Sequence, residues 1–173
     1  SKIMTDQQRS GPSEPIASRP DIKGYGILDA QSGKGLLPWS WAEEHLGNAH
    51  NYWIATTRPD GRPHLMVVWG IWVENAFYFS TGRESRKARN LAANPNCVIA
   101  PEGAEEAAIA EGIASEVTDP GVIKQLDEVY YAKYKWNLDP EMGPIYRLQP
   151  TVVFGFIETG GDFTRTATRW RFD

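Results

Sequence analysis

The chain has 173 residues, 41% of them hydrophobic and 23% charged, with a formal net charge of −4. That length fits one domain with a real core, and the acidic balance argues against nucleic acid as the main partner, since such domains carry a basic surplus. No apolar stretch approaches the roughly 20 residues that span a bilayer, and no signal-peptide core follows the N-terminus. With Cys97 as its lone cysteine, the chain is expected in a reducing, cytoplasmic setting, away from membranes.

Residues 1–38 contain Pro12, Pro15, Pro20 and Pro38, several glycines and no sustained periodicity. They read as an arm, partly disordered or wrapping a partner, ahead of a domain at 39–173. Ser1 to Ile3 read as an addition before a native start at Met4. Ser40-Trp41-Ala42-Glu43 is a capping box that opens a short helix, with Gly47 as its terminator. A strand from Asn51 to Thr57 leads into Arg58-Pro59-Asp60-Gly61-Arg62, where Asp-Gly signals a hairpin turn. His64 to Val73 is apolar on almost every residue, the pattern of a strand covered on both faces by core and by a ligand or second subunit.

Glu74-Asn75-Ala76 then turns the chain into a strand over Phe77 to Thr81. Residues 85–94 predict a helix with Ala88, Leu91 and Ala92 packed down and Pro95 ending it. Strands follow at 96–100 and 105–118. Cys97, after Asn94-Pro95-Asn96 and at the head of an apolar run, reads as a buried, inert thiol. Asp119-Pro120 caps a helix whose apolar face carries Val122, Leu126, Val129 and Tyr130. Thr151 to Glu158 and Thr166 to Phe172 are the last strands, joined at Gly160-Gly161-Asp162. About seven antiparallel strands and three helices predict a mainly β fold, a closed or partly closed barrel with flanking helices.

The segment Arg83-Glu84-Ser85-Arg86-Lys87-Ala88-Arg89 crowds four cations around one helix start. The macrodipole is already positive there, so each placement costs a few tenths of a kcal/mol, up to about 1, unless an anion compensates. With Ser85 as N-cap, free backbone amides, a hydroxyl and guanidinium groups converge, which is the chemistry of a phosphate site. Helical spacing puts Arg86, Arg89 and Asn90 on one side. His45 and His50, five apart beside Glu43 and Glu44, lack the spacing and third ligand of a metal site, and no metal is expected.

The run Tyr78-Phe79-Ser80-Thr81-Gly82-Arg83-Glu84-Ser85-Arg86-Lys87-Ala88-Arg89-Asn90-Leu91 resembles the phosphate signature of the pyridoxamine 5′-phosphate oxidase-like superfamily. So do the Asp60-Gly61-Arg62-Pro63 hairpin, the Trp69-Gly70-Ile71-Trp72 strand and the closing Thr166 to Phe172. The chain is most similar to the flavin/deazaflavin oxidoreductase group, particularly its B branch. The resemblance implies a split β-barrel and a homodimer with a cofactor at each subunit interface. It also implies coenzyme F420, or alternatively FMN, with Ser85, Arg86 and Lys87 on the phosphate and Thr81 and Asn90 assisting. The strand bearing His64, Met66, Val67 and Val68 is implied along the ring, with Phe79 and Ser80 beside it. Trp170, with Arg171 beside it, is implied to be supplied by the closing strand of the neighbouring subunit.

Alternation within that strand puts Arg165, Ala167, Arg169 and Arg171 on one face and Thr168, Trp170 and Phe172 on the other. Trp170 also reads as ordinary core. Seven tryptophans suit either a barrel core or a flat ligand. True members that oxidise pyridoxamine phosphate use further basic residues on the second strand, and Leu65 to Val73 has none. A larger, flatter, greasier substrate is expected, such as an unsaturated or quinone-like compound reduced by hydride transfer. His64, Tyr130, Tyr131 and Tyr134 are candidate proton donors, with no catalytic residue assigned. Arg83 and Arg89 favour F420 over FMN, because that coenzyme carries an extended anionic tail. A non-catalytic carrier of F420, flavin or haem on the same barrel is the remaining alternative.

Overall fold

The computed structural model describes residues 13–29, 35–159 and 162–173. The Met4 start, parts of the arm at 1–12 and 30–34, and the Gly160-Gly161 turn lie outside the described residues. In chain order the elements are β1 (Ile16–Ser18), α1 (Trp39–Asn48), β2 (Tyr52–Thr57), β3 (Pro63–Val68), β4 (Ile71–Val73), β5 (Ala76–Ser80) and α2 (Arg86–Ala93). There follow β6 (Asn96–Pro101), β7 (Glu106–Val117), α3 (Pro120–Tyr134), β8 (Ile145–Ile157), α4 (Phe163–Thr166) and β9 (Thr168–Arg171).

All pairings are antiparallel, in the order β1-β9-β8-β7-β6-β2-β3. β8 is long enough to pair with β7 along one edge and with two strands along the other, β5 at Ile145 to Leu148 and β9 at Val152 to Gly155. This shared strand splits the barrel. One core fills the interior around Leu46, Tyr52, Ile54, Phe77, Phe79, Ile99, Leu148 and Trp170. A second lies under α3, with Leu126, Tyr130 and Tyr134 against Ile71, Tyr78 and Ile145. No helix among the described residues is long and apolar enough to cross a membrane.

Several local expectations hold. Gly61 takes a left-handed φ of 89°, and the Asp60 carboxylate accepts from the Arg62 N–H in the β2–β3 turn. Asp119 caps α3 by accepting from Gly121 N at 2.8 Å. Cys97 is buried, and burial pushes its thiol up to about 12.

Other expectations are corrected. Ser40 lies inside α1, which starts at Trp39 with no side-chain cap; burial of Trp39 against Trp72, Trp170 and Phe172 sets the start instead. Gly47 does not end α1. Its carbonyl accepts from Lys133 Nζ at 3.1 Å, so a lysine satisfies the helix end without a left-handed cap. The expected strand from His64 to Val73 breaks at Gly70, giving β3 and β4. Gly70 N donates to the Tyr134 hydroxyl at 2.9 Å and its carbonyl accepts from Lys133 Nζ at 2.8 Å, which takes both groups out of the ladder.

Leu65, Met66 and Val67 of β3 are exposed among the described residues, and the cover expected there, a ligand or second subunit, lies outside a single chain. β8 starts six residues earlier than expected. Pro150 sits opposite Gly112 at a bulge, where ladder pairing is already interrupted. The alternation expected at the C-terminus holds within β9, where Thr168 and Trp170 are buried and Arg169 and Arg171 more open, but it does not extend to Arg165, which is in α4. Among the described residues the count rises to nine strands and four helices.

Candidate functional site

The start of α2 is a rigid hydroxyl-lined turn with cations around it. Ser85 is the N-cap; its Oγ accepts from Ala88 N at 3.2 Å and lies 3.1 Å from Thr81 Oγ1. No acidic residue occupies the first turn. Arg83 pairs with Glu116 at 3.3 Å. Arg86, Lys87 and Arg89 have no carboxylate partner among the described residues. Lys87 is only 9% exposed, and burial lowers its pKa. A buried ammonium facing an electropositive helix end is costly, and an anion would relieve that cost.

Asn90 points inward from α2, against the expectation that it would share a face with exposed Arg89. It is fully buried, and its Nδ2 donates to Thr56 Oγ1 at 3.0 Å while Oδ1 has no partner. Ala92, expected to pack down, is exposed, and Lys87 takes the buried place instead. Thr56 pairs across the ladder with His64, whose Nδ1 is likewise buried and unpartnered. Burial lowers the His64 pKa, and Arg58, Lys87 and Arg86 lower it further. The same field links β3, the hairpin and α2 in one place. Unsatisfied buried polar atoms cost about 1–3 kcal/mol each, a cost that a ligand or ordered water at this corner would relieve.

β3 ends the strand order, so its outer backbone edge has no ladder partner among the described residues. His64 and Met66 share the face of Thr56 and Ile54, toward α2, while Leu65 and Val67 lie opposite with Trp53 and Ala55. The free edge can bond a flat polar rim.

Thus His64, Met66, Thr81, Ser85, Arg86, Lys87 and Asn90 gather at one corner, with Val67 on the reverse face of the same strand. Five expected contacts do not gather there within one chain, and two of them, Trp170 and Arg171, are expected from a neighbouring subunit. Phe79 is fully buried, packed on Phe77 and Tyr146. Val68 is buried in the interior core. Ser80 spends its hydroxyl on the Pro144 carbonyl at 3.1 Å. Trp170 is 1% exposed, edge-on to Trp39 and stacked with Trp41, so its ring belongs to the core. Arg171 is exposed on β9, whose hydrogen-bonded neighbours are β1 and β8.

Tyr134 is no free proton donor, being bonded to Gly70 and His50. His45 is spent on Glu106 at 2.7 Å. Among the described residues no cluster of three or more His, Cys, Asp or Glu is placed to hold a metal.

Arg58, Thr56 and Gly143 escaped the sequence reading. Hairpin pairing could have found the first two, because Thr56 faces His64 and Arg58 opens the same turn. Gly143 gives no such signal. A Cβ there would sit 2.2 Å from the Thr81 carbonyl oxygen. Gly143→Ala should therefore displace the Thr81–Ser85 turn and weaken anion binding about tenfold or more. Calorimetric titration with a phosphate ligand measures this.

The pyridoxamine 5′-phosphate oxidase family matches the chain over residues 42–154. No curated protein matches. The conserved hypothetical protein Rv2991 of Mycobacterium tuberculosis is similar in structure, with a TM-score of 0.63 and 18% identity over 80% of this chain and 91% of that one. A structure described as an F420 reductase gives 0.53 and 24% over 64% of this chain and 94% of that one. A haem-binding protein of Mycobacterium smegmatis gives 0.59 and 19% over 69% and 55%. At these identities the likeness carries the fold alone.

Proposed function

The chain belongs to the pyridoxamine 5′-phosphate oxidase family, and on that premise we propose that it is an F420-dependent oxidoreductase. In this reading it reduces an unsaturated or quinone-like compound and works as a homodimer. The observation that carries the reading is the unpaired cation cluster of Arg86 and Lys87 at the capped start of α2, beside two unpartnered buried atoms, His64 Nδ1 and Asn90 Oδ1. A phosphate fits the amides, hydroxyls and cations, and the polyhydroxylated chain of a deazaflavin or flavin supplies hydroxyls for Asn90 Oδ1.

When bound, the reduced coenzyme supplies a hydride for an electron-poor double bond. The protein's part is positional. Arg86, Lys87 and Ser85 hold the phosphate, Asn90 orients the chain that follows it, and the free edge of β3 bonds the ring rim. Exposed Trp53, Leu65 and Val67 form an apolar outer face on β2–β3 suited to a second copy, which would also exclude water.

A second reading, FMN on the same site, is favoured by one observation. Arg83 is engaged with Glu116, leaving Arg89 as the outward cation for a longer anionic tail. Titrating the apo-protein with F420 and with FMN decides between them. Tighter F420 binding with consumption of reduced F420 by quinones supports the proposal. Binding without turnover on any acceptor would make the protein a carrier.

The site also predicts a pH effect. A bound anion neutralises the field of Arg58, Lys87 and Arg86, so the His64 pKa is higher in the complex than in the free protein. Protonated His64 thus favours the complex, and F420 binding should tighten as pH falls from about 8 to about 5.5. The F420 phosphodiester keeps its charge over that range but the coenzyme's ring hydroxyl does not, so the difference between wild type and a His64 variant carries the protein's part of the trend. His64→Gln should flatten it, as read from Kd against pH.

A further inference from the structure

We propose that Trp69, stacked on Tyr134 just beyond β3, is the platform on which a flat, uncharged, conjugated electron acceptor lies; this rests on the coenzyme reading above and names the substrate class of that site.

Trp69 is 38% exposed, yet its ring is held on several sides. It stacks on Tyr134 with 4.6 Å between centroids and 1° between planes, and His50 meets it edge-on at 5.3 Å. Its Nε1 donates to Asn51 Oδ1 at 3.1 Å, and Asn51 is itself tied to Glu102. Tyr134 is fixed through its hydroxyl to Gly70 and His50. Gly70, the next residue along, is wedged against Phe77, where a Cβ would come within 2.0 Å of the ring. Exposed Leu65 and Val67 on the neighbouring strand have no such support.

An exposed indole held this firmly loses little conformational entropy when a ring stacks on it. Its one N–H is already used, so the surface it offers is apolar. Position supplies the second argument. Trp69 lies five positions beyond His64, at the candidate phosphate corner, which is about 16 Å along an extended chain. A coenzyme held by its phosphate at that corner and bonded to the free edge of β3 would extend toward Trp69, which follows Leu65 and Val67 on the outer side of the strand and would meet an acceptor approaching the ring. A quinone there accepts a hydride from the reduced coenzyme and a proton from solvent, giving the hydroquinone and the oxidised coenzyme.

The test uses menadione, titrated by calorimetry into the full-length apo-protein and its Trp69→Phe, Trp69→Leu and Trp69→Ala variants, with F420 titrated in parallel. Trp69→Ala should weaken menadione binding about tenfold, the loss of one aromatic stacking contact, with Trp69→Phe near wild type. The F420 affinity should stay unchanged, and KM for menadione should rise in step. Trp69→Leu keeps apolar bulk without the ring and stands in if the alanine variant does not fold. Unchanged menadione binding in Trp69→Leu or Trp69→Ala overturns the platform while leaving the coenzyme reading intact. So does loss of the dimer on substitution, which would make Trp69 a subunit contact. If the wild type takes menadione but neither F420 nor FMN, the coenzyme reading fails and the acceptor role fails with it.

Discussion

Replacing Arg86 and Lys87 together with alanine should weaken coenzyme binding by about 2–4 kcal/mol, roughly thirty- to a thousand-fold. In the proposed complex each side chain would supply a charge-assisted bond, and neither has a carboxylate partner among the described residues to be left unpaired by its removal. Stability without ligand should move the other way. Lys87 is buried at an electropositive helix start, so Lys87→Met removes a desolvated charge while keeping the stem that packs. A rise in Tm of about 2–4 °C for the unliganded protein fits about 1 kcal/mol of relief. Differential scanning calorimetry reads the second effect and isothermal titration the first. A pair of cations serving only the fold would lower Tm and leave binding alone.

Trp170→Ala should cost about 3–5 kcal/mol of stability and leave the affinity of the folded fraction for coenzyme nearly unchanged. The ring is enclosed by Trp39 and Trp41, with centroid distances of 5.5 and 6.3 Å. It is also pressed on Gly155, where a Cβ would come within 2.9 Å of Trp170 Cη2 and 2.7 Å of Trp41 Cζ3. Removing so large a side chain leaves a cavity that three tightly set neighbours cannot close. Trp170→Phe should recover part of the loss. Chemical denaturation with parallel ligand titration separates the two roles: a coenzyme contact would show weakened binding in Trp170→Phe at nearly native stability.

The strands were legible wherever side chains alternated or a turn residue was forced, as at Asp60-Gly61 and Asp119-Pro120. The candidate anion corner was legible because four cations in seven residues conflict with helix electrostatics, and that conflict is visible without coordinates. What stayed hidden depends on partners distant in sequence. Gly70 breaks a continuous apolar run only because Lys133 and Tyr134, on α3, take its backbone groups. Pro150 belongs inside a strand only because Gly112 bulges opposite it. Asn90 faces Thr56 rather than solvent because α2 lies on β2, a packing that the helical repeat alone does not determine. Trp170 reads as a coenzyme contact ahead of ordinary core until its packing on Trp39 and Trp41 is seen.

The account stands on α2 recognising a phosphate, and paired ligands test that most directly. Affinities of the apo-protein should be compared for FMN against riboflavin, and for F420 against its phosphate-free deazaflavin core. The phosphate-bearing member should bind about a hundredfold more tightly in each productive pair, and the advantage should vanish in the Arg86→Ala, Lys87→Ala double variant. Equal affinity for both members of each pair in the wild type would contradict it.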